Sequence, residues 1–142
     1  MLKIDLEMAR KLVRLAIEER GEDYIYPFGA CSNVFVPGFE YFSKGDNDGE
    51  HPVVFEEAEP GCIVGLAMFK AGFTLEQINI PGGMISMAAD FKKDGIAEFT
   101  PLTRYYLSEI QGYQDAGNTW GQSLTHGETM IYSAYAPSDT FN

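Results

Sequence analysis

The sequence predicts an α+β fold in which helices dominate, with a small aromatic-rich β or turn region after the first helix. Three observations carry this expectation. Apolar residues recur at three- and four-residue intervals over 5–20 and again over 101–116. Between these segments, short β-branched and aromatic runs are broken by proline and glycine. Hydrophobic residues make up 45% of the 142 residues against 22% charged, enough for one core and too many for a disordered chain. The expected organisation is one globular domain over 1–136, followed by a loose tail over 137–142.

The first helix is expected over 5–20. Ala9, Leu12, Val13, Ala16 and Ile17 form its apolar stripe, while Arg10, Lys11, Arg14 and Glu18 fall off it. Asp5 suits the N-cap and Gly21 the left-handed residue after the last turn. Residues 22–42 hold seven aromatics interrupted by Pro27, Gly29, Pro37 and Gly38, a composition that favours short strands or extended turns. Residues 33–36 read as a short strand, with 53–55 as a hairpin partner across a polar stretch. Pro60 and Gly61 open a second helix that carries Cys62, Ile63, Leu66, Ala67 and Phe69 and closes at Gly72.

Thr74 and Gln77 have capping-box spacing, so a turn or two of helix follows before Pro81. Residues 84–93 fit strand and helix equally. Thr100 and Pro101 then mark the start of a helix whose stripe is Leu102, Tyr105, Tyr106, Ile110 and Tyr113. A further helix after 118 is suggested by Trp120 and Leu124. Gly121 and Gly127 weaken it by about 1 kcal/mol each relative to alanine.

Charge narrows the function classes. Ten basic residues against 21 acidic ones give a net charge of −11, which disfavours binding of nucleic acid or of an anionic membrane. The excess is uneven. Residues 1–20 carry five basic and four acidic side chains, whereas 39–60 holds seven acids and only Lys44. That acidic segment suits either plain solubilisation or the docking of a basic partner. The N-terminus has no apolar stretch of signal-peptide length and the chain no run long enough to span a bilayer. With only two cysteines, Cys31 and Cys62, a reduced cytoplasmic setting is expected.

Motifs for catalysis fail on their own geometry. Asp46 and Asp48 fit a calcium loop when Gly49 is placed at the sixth position, but the twelfth position falls on Phe55 instead of a glutamate. His126 and Glu128 have the His-x-Glu spacing of zinc deaminases, yet no cysteine follows Cys62 to complete the metal site. Ser123 lacks the second glycine of a nucleophile elbow. No metal site and no cofactor are therefore expected. Cys62 remains a weak catalytic candidate, because a thiol at a helix start is favoured as thiolate, with His51 or His126 as its base. The competing reading is a small buried hydrophobe. The stripe of Tyr105, Tyr106 and Tyr113 suits half-burial in the core and a homodimer face equally.

Several segments in order carry a resemblance: Glu18-Glu19-Arg20-Gly21 at the end of the first helix, Asp23-Tyr24-Ile25-Tyr26-Pro27, Pro60-Gly61-Cys62-Ile63-Val64-Gly65, and Gln111-Gly112-Tyr113-Gln114-Asp115 followed by Trp120-Gly121. Together they resemble small accessory proteins encoded by actinobacterial phages. The resemblance brings no functional residues with it. It implies a setting, that of a phage protein acting in the host cytoplasm on host machinery. The expectation that follows is a non-enzymatic interaction module that binds or inhibits a host protein with a basic surface. Its contact residues would be Asp46, Asp48, Glu56, Glu57, Tyr105 and Tyr113. The alternative is a small cysteine-dependent enzyme with Cys62 as nucleophile.

Overall fold

The chain folds, in the computed structural model, as β1 (Leu2–Ile4), α1 (Leu6–Arg20), β2 (Val34–Phe35), β3 (Glu59–Pro60), α2 (Ile63–Lys70), α3 (Leu75–Ile78), α4 (Met84–Lys93), β4 (Ala97–Phe99), α5 (Pro101–Asp115) and α6 (Trp120–Ser133). The residues described are 1–27, 33–35, 58–80, 82–133 and 139–141. The architecture is helix-dominant α+β, as the periodicities predict.

α1 forms where its caps and stripe place it. Asp5 Oδ1 accepts from Met8 N at 2.9 Å, Gly21 adopts φ +99° after the last turn, and Ala9, Leu12, Val13, Ala16 and Ile17 are the buried positions. Each large member of that set stabilises the fold by about 1.5–3 kcal/mol on burial. α2 starts two residues later than expected. Pro60 lies in β3, and Cys62 is the N-cap with extended backbone. The helix is buried from Ile63 through Met68, as its unbroken apolarity requires.

In the short antiparallel ladder Val34 pairs with Pro60 and Phe35 with Glu59; the hairpin partner expected at 53–55 lies outside the described residues. Contact with α2 explains this choice of partner. Gly61 N donates to Asn33 O at 2.8 Å, and a Cβ on Gly65 would stand 2.4 Å from that same carbonyl oxygen. Only a glycine at 65 lets the strand backbone lie directly on the helix.

Residues 84–93, ambiguous in sequence, form a helix because Met84, Met87, Ala88 and Phe91 meet the core at helical intervals. Phe91 packs against Phe73 at 4.9 Å and Phe99 at 6.0 Å between ring centroids. β4 then runs parallel to β1, with Leu2 opposite Ala97 and Ile4 opposite Phe99. A strand of three residues gives no readable periodicity, and only the return of β4 creates its partner.

α5 begins at Thr100, whose Oγ1 accepts from Thr103 N at 3.3 Å. Asp139 completes that end. Its Oδ2 accepts from Thr100 Oγ1 at 2.7 Å and its Oδ1 from Leu102 N at 3.0 Å. A carboxylate there also complements the positive end of the helix dipole. Asp139, within the stretch expected as a loose tail, thus bonds to the start of α5, while 137, 138 and 142 lie outside the described residues.

α6 continues through both of its glycines. A Cβ on Gly127 would lie 2.5 Å from Ile110 Cγ1, and one on Gly121 would lie 3.0 Å from Glu22 Cβ. The glycines cost intrinsic helix propensity but permit the close approach that holds α6 to α5 and to the start of the loop after α1. Among the described residues, no helix is long and apolar enough to cross a membrane.

Candidate functional site

The antiparallel α5 and α6 bring Tyr113 and His126 together. Their rings stack with centroids 4.2 Å apart and planes within 7° of parallel. His126 Nε2 lies 3.3 Å from Glu109 Oε1, one turn before Tyr113 on α5. Gly121, one and a half turns before His126, supplies no side chain, and Glu22 packs beside it. The result is a surface groove of about 510 Å³. Among the described residues it is lined by Glu22, Tyr113, Gly121, Gln122, Thr125, His126 and Thr129. A second groove of about 410 Å³ shares Glu22 and adds Arg14, Ile17, Glu18, Gly21 and Leu124.

Behind these grooves a polar network ties three helices together. Arg10 Nε lies 3.1 Å from both carboxylate oxygens of Glu128, its Nη2 bonds the same carboxylate, and Arg14 approaches at 3.4 Å. The hydrogen bond that the Arg10 guanidinium donates to Glu128 raises it above its ordinary pKa. Burial pushes the Glu128 carboxyl up. Its hydrogen bonds with Arg10, reinforced by the nearby Tyr106 hydroxyl and by the charges of Arg10 and Arg14, outweigh that and hold it below the usual range. Tyr106 is fully buried, and its Oη faces Glu128 without reaching good hydrogen-bond geometry. Burial first, and the Glu128 carboxylate second, push its phenol well up.

A second network lies at the other end of α5. Gln114 Oε1 accepts from Ile63 N at 2.9 Å and from Trp120 Nε1 at 3.0 Å, and Gln114 Nε2 donates to Asp115 Oδ1 at 3.0 Å. The Arg20 guanidinium stands 5.2 Å from the Trp120 ring and 5.5 Å from the Tyr24 ring while donating to the Pro60 and Gly61 carbonyls. These contacts secure the starts of α2 and α6.

Against this geometry, the residues singled out from the sequence divide into three groups. Tyr113, 37% exposed, and His126 meet in the groove. Tyr105 is half-buried and Tyr106 completely buried, so the tyrosines present no continuous stripe. Asp46, Asp48, His51, Glu56 and Glu57 lie outside the described residues.

Cys62 is fully buried and disulfide-bonded, with Asn33 Oδ1 3.2 Å from its sulfur. Cys31 is the only other cysteine of the chain. A sulfur in a disulfide carries no thiol to ionise, so Cys62 as the weak catalytic candidate of the alternative reading, and the expectation of reduced cysteines, are corrected, while the expected burial is found. His126 finds its partners at Glu109 and Tyr113 instead. Among the described residues, no three His, Cys, Asp or Glu side chains converge to hold a metal.

Neither Arg10 nor Glu22 stands out in the sequence as a site residue, and Tyr106 drew notice only as part of the tyrosine stripe. Glu128 drew notice only beside His126. Comparison with protein-family models, with curated proteins and with solved structures finds no match to this chain. The chemistry of the site therefore rests on its own residues.

Proposed function

We propose that this chain is a non-enzymatic interaction module whose α5–α6 groove receives a cationic side chain of a partner protein. The observation that carries the reading is the Tyr113–His126 stack, with Glu109 bonded to it and Glu22 across the groove. An aromatic face beside carboxylates attracts an arginine or lysine by cation–π and ionic terms together, at about 0.5–2 kcal/mol for the former. The net charge of −11 steers a basic surface toward it. The acidic segment 39–60, with Asp46, Asp48, Glu56 and Glu57, adds to that steering. The resemblance to phage accessory proteins makes the partner a host protein.

The test is fluorescence anisotropy with a labelled arginine-rich peptide. Saturable binding that weakens as salt is raised, and falls about five-fold or more in Tyr113→Ala and in Glu22→Gln, is the expected result. Equal affinity for the wild type and Tyr113→Ala removes the groove from the proposal. Loss of binding only on neutralising Asp46, Asp48, Glu56 and Glu57 transfers the role to the acidic segment. In a reducing cytoplasm the Cys62 disulfide would open. A free-thiol count on protein isolated from cells therefore reads its compartment directly.

A further inference from the structure

The Tyr113–His126 groove contains one group of a kind that changes charge near neutrality, and that group is part of the surface a cation would meet. His126 is the ring stacked on Tyr113, and its Nε2 lies 3.3 Å from Glu109 Oε1. A carboxylate only accepts, so the ring nitrogen facing it carries hydrogen and the other one takes up the second proton. Histidine is the side chain whose ordinary charge change falls between about pH 5 and 8.

The charged and titratable groups around His126 come from three directions. α5 contributes Glu109 and Tyr113, and the loop after α1 contributes Glu22, which lines the same groove. On α6 itself, Glu128 lies two positions further on, about 200° around the helix. There it is bonded to Arg10 and Arg14 of α1. Among the described residues, His126 thus faces two carboxylates and a phenol, and no lysine or arginine lines the groove with it.

Protonation of this ring fills the groove's own needs. An imidazolium pairs with Glu109 and lies over Tyr113 as a cation on an aromatic face, so both features that attract a partner's arginine or lysine are already engaged. A second positive charge beside it is repelled. The neutral imidazole leaves the Glu109 charge to the guest and widens the aromatic surface. Proton and guest therefore compete for the same groups, and by linkage each weakens the binding of the other by the same factor.

We propose that the groove, taken as the cation site proposed above, is gated by pH: it receives a partner's cationic side chain when His126 is neutral and releases it when His126 is protonated. The gate is distinct from a general loss of negative charge in acid. Ordinary carboxylates titrate near about 4.3, well below the range of histidine.

The test is fluorescence anisotropy with a rhodamine-labelled, N-acetylated arginine-rich peptide, which carries no group that titrates between about pH 8 and pH 5.5. At constant salt, wild-type affinity is expected to fall about five-fold or more from the higher pH to the lower. His126→Phe keeps a ring for Tyr113 but takes up no proton, so its two affinities should agree within about two-fold. His51, the other histidine of the chain, is unaltered in that variant, and any pH dependence it carries would persist. Calorimetry of the wild type at about pH 6.5, in two buffers of different ionisation heat, gives an independent reading, since binding should expel part of a proton. Equal wild-type affinity at the two pH values, no proton release, or an equal fall in His126→Phe overturns the gate and leaves the groove as a cation site. Absence of saturable binding at the higher pH overturns both.

Discussion

At the scale of single residues, the pairing of Arg10 with Glu128 decides how the fold responds to acid. Because the Glu128 carboxyl is held below its ordinary range, it stabilises the native state fully above the unfolded-chain value of about 4.3. That contribution is lost as pH falls through the lower folded-state value. Glu128→Gln should therefore flatten the acid limb of a pH–stability profile below about pH 4.3 and cost about 1 kcal/mol at neutral pH, read by urea unfolding. Tyr106→Phe removes a buried hydroxyl that completes no hydrogen bond, so stability should change by less than about 1 kcal/mol. The Glu128 midpoint should rise in the same variant, because that hydroxyl helps to lower it. The sequence shows the charges at 10 and 128 but not their meeting, since 118 residues separate them.

At the scale of elements, glycines separate helices that only need to exist from helices that must touch. Gly112 lies on α5 with nothing near its Cβ position, so Gly112→Ala should stabilise by about 0.5–1 kcal/mol through helix propensity alone. Gly65 on α2 faces the Asn33 carbonyl, and Gly65→Ala should destabilise by about 1–3 kcal/mol because the obstacle is backbone. Thermal unfolding of the two variants side by side checks both signs. The caps tell a similar story. Asp5, Thr74 and Thr100 act as their spacing predicts, because a cap is satisfied within a turn of its own residue. Asp139 caps α5 from the far end of the chain, and no local pattern announces it. Asp139→Ala should cost about 1 kcal/mol, measured by the same unfolding transition.

At the scale of the whole molecule, the disulfide at Cys62 secures the junction of β3 and α2 to the rest of the fold. Cys62→Ser, or full reduction, should lower the unfolding free energy by about 2–4 kcal/mol, read from the denaturant midpoint with and without reductant. An unchanged midpoint would show that this cross-link contributes nothing to stability.

Local physics determined much of the architecture from sequence alone. α1 and α5 carry their stripes, caps and stop signals within a few residues, so their existence and buried faces follow from the chain read in order. The helical identity of 84–93, the partner of β2, and the parallel pairing of β1 with β4 were settled only by tertiary contacts, because each depends on a surface that distant segments supply. The sites divide in the same way. Tyr113 and His126 are visible as residues, yet their stacking depends on how closely α6 lies on α5, which Gly127 permits. Sequence fixes which groups are available for chemistry, whereas burial and proximity, which belong to the folded chain, decide which of them can act together.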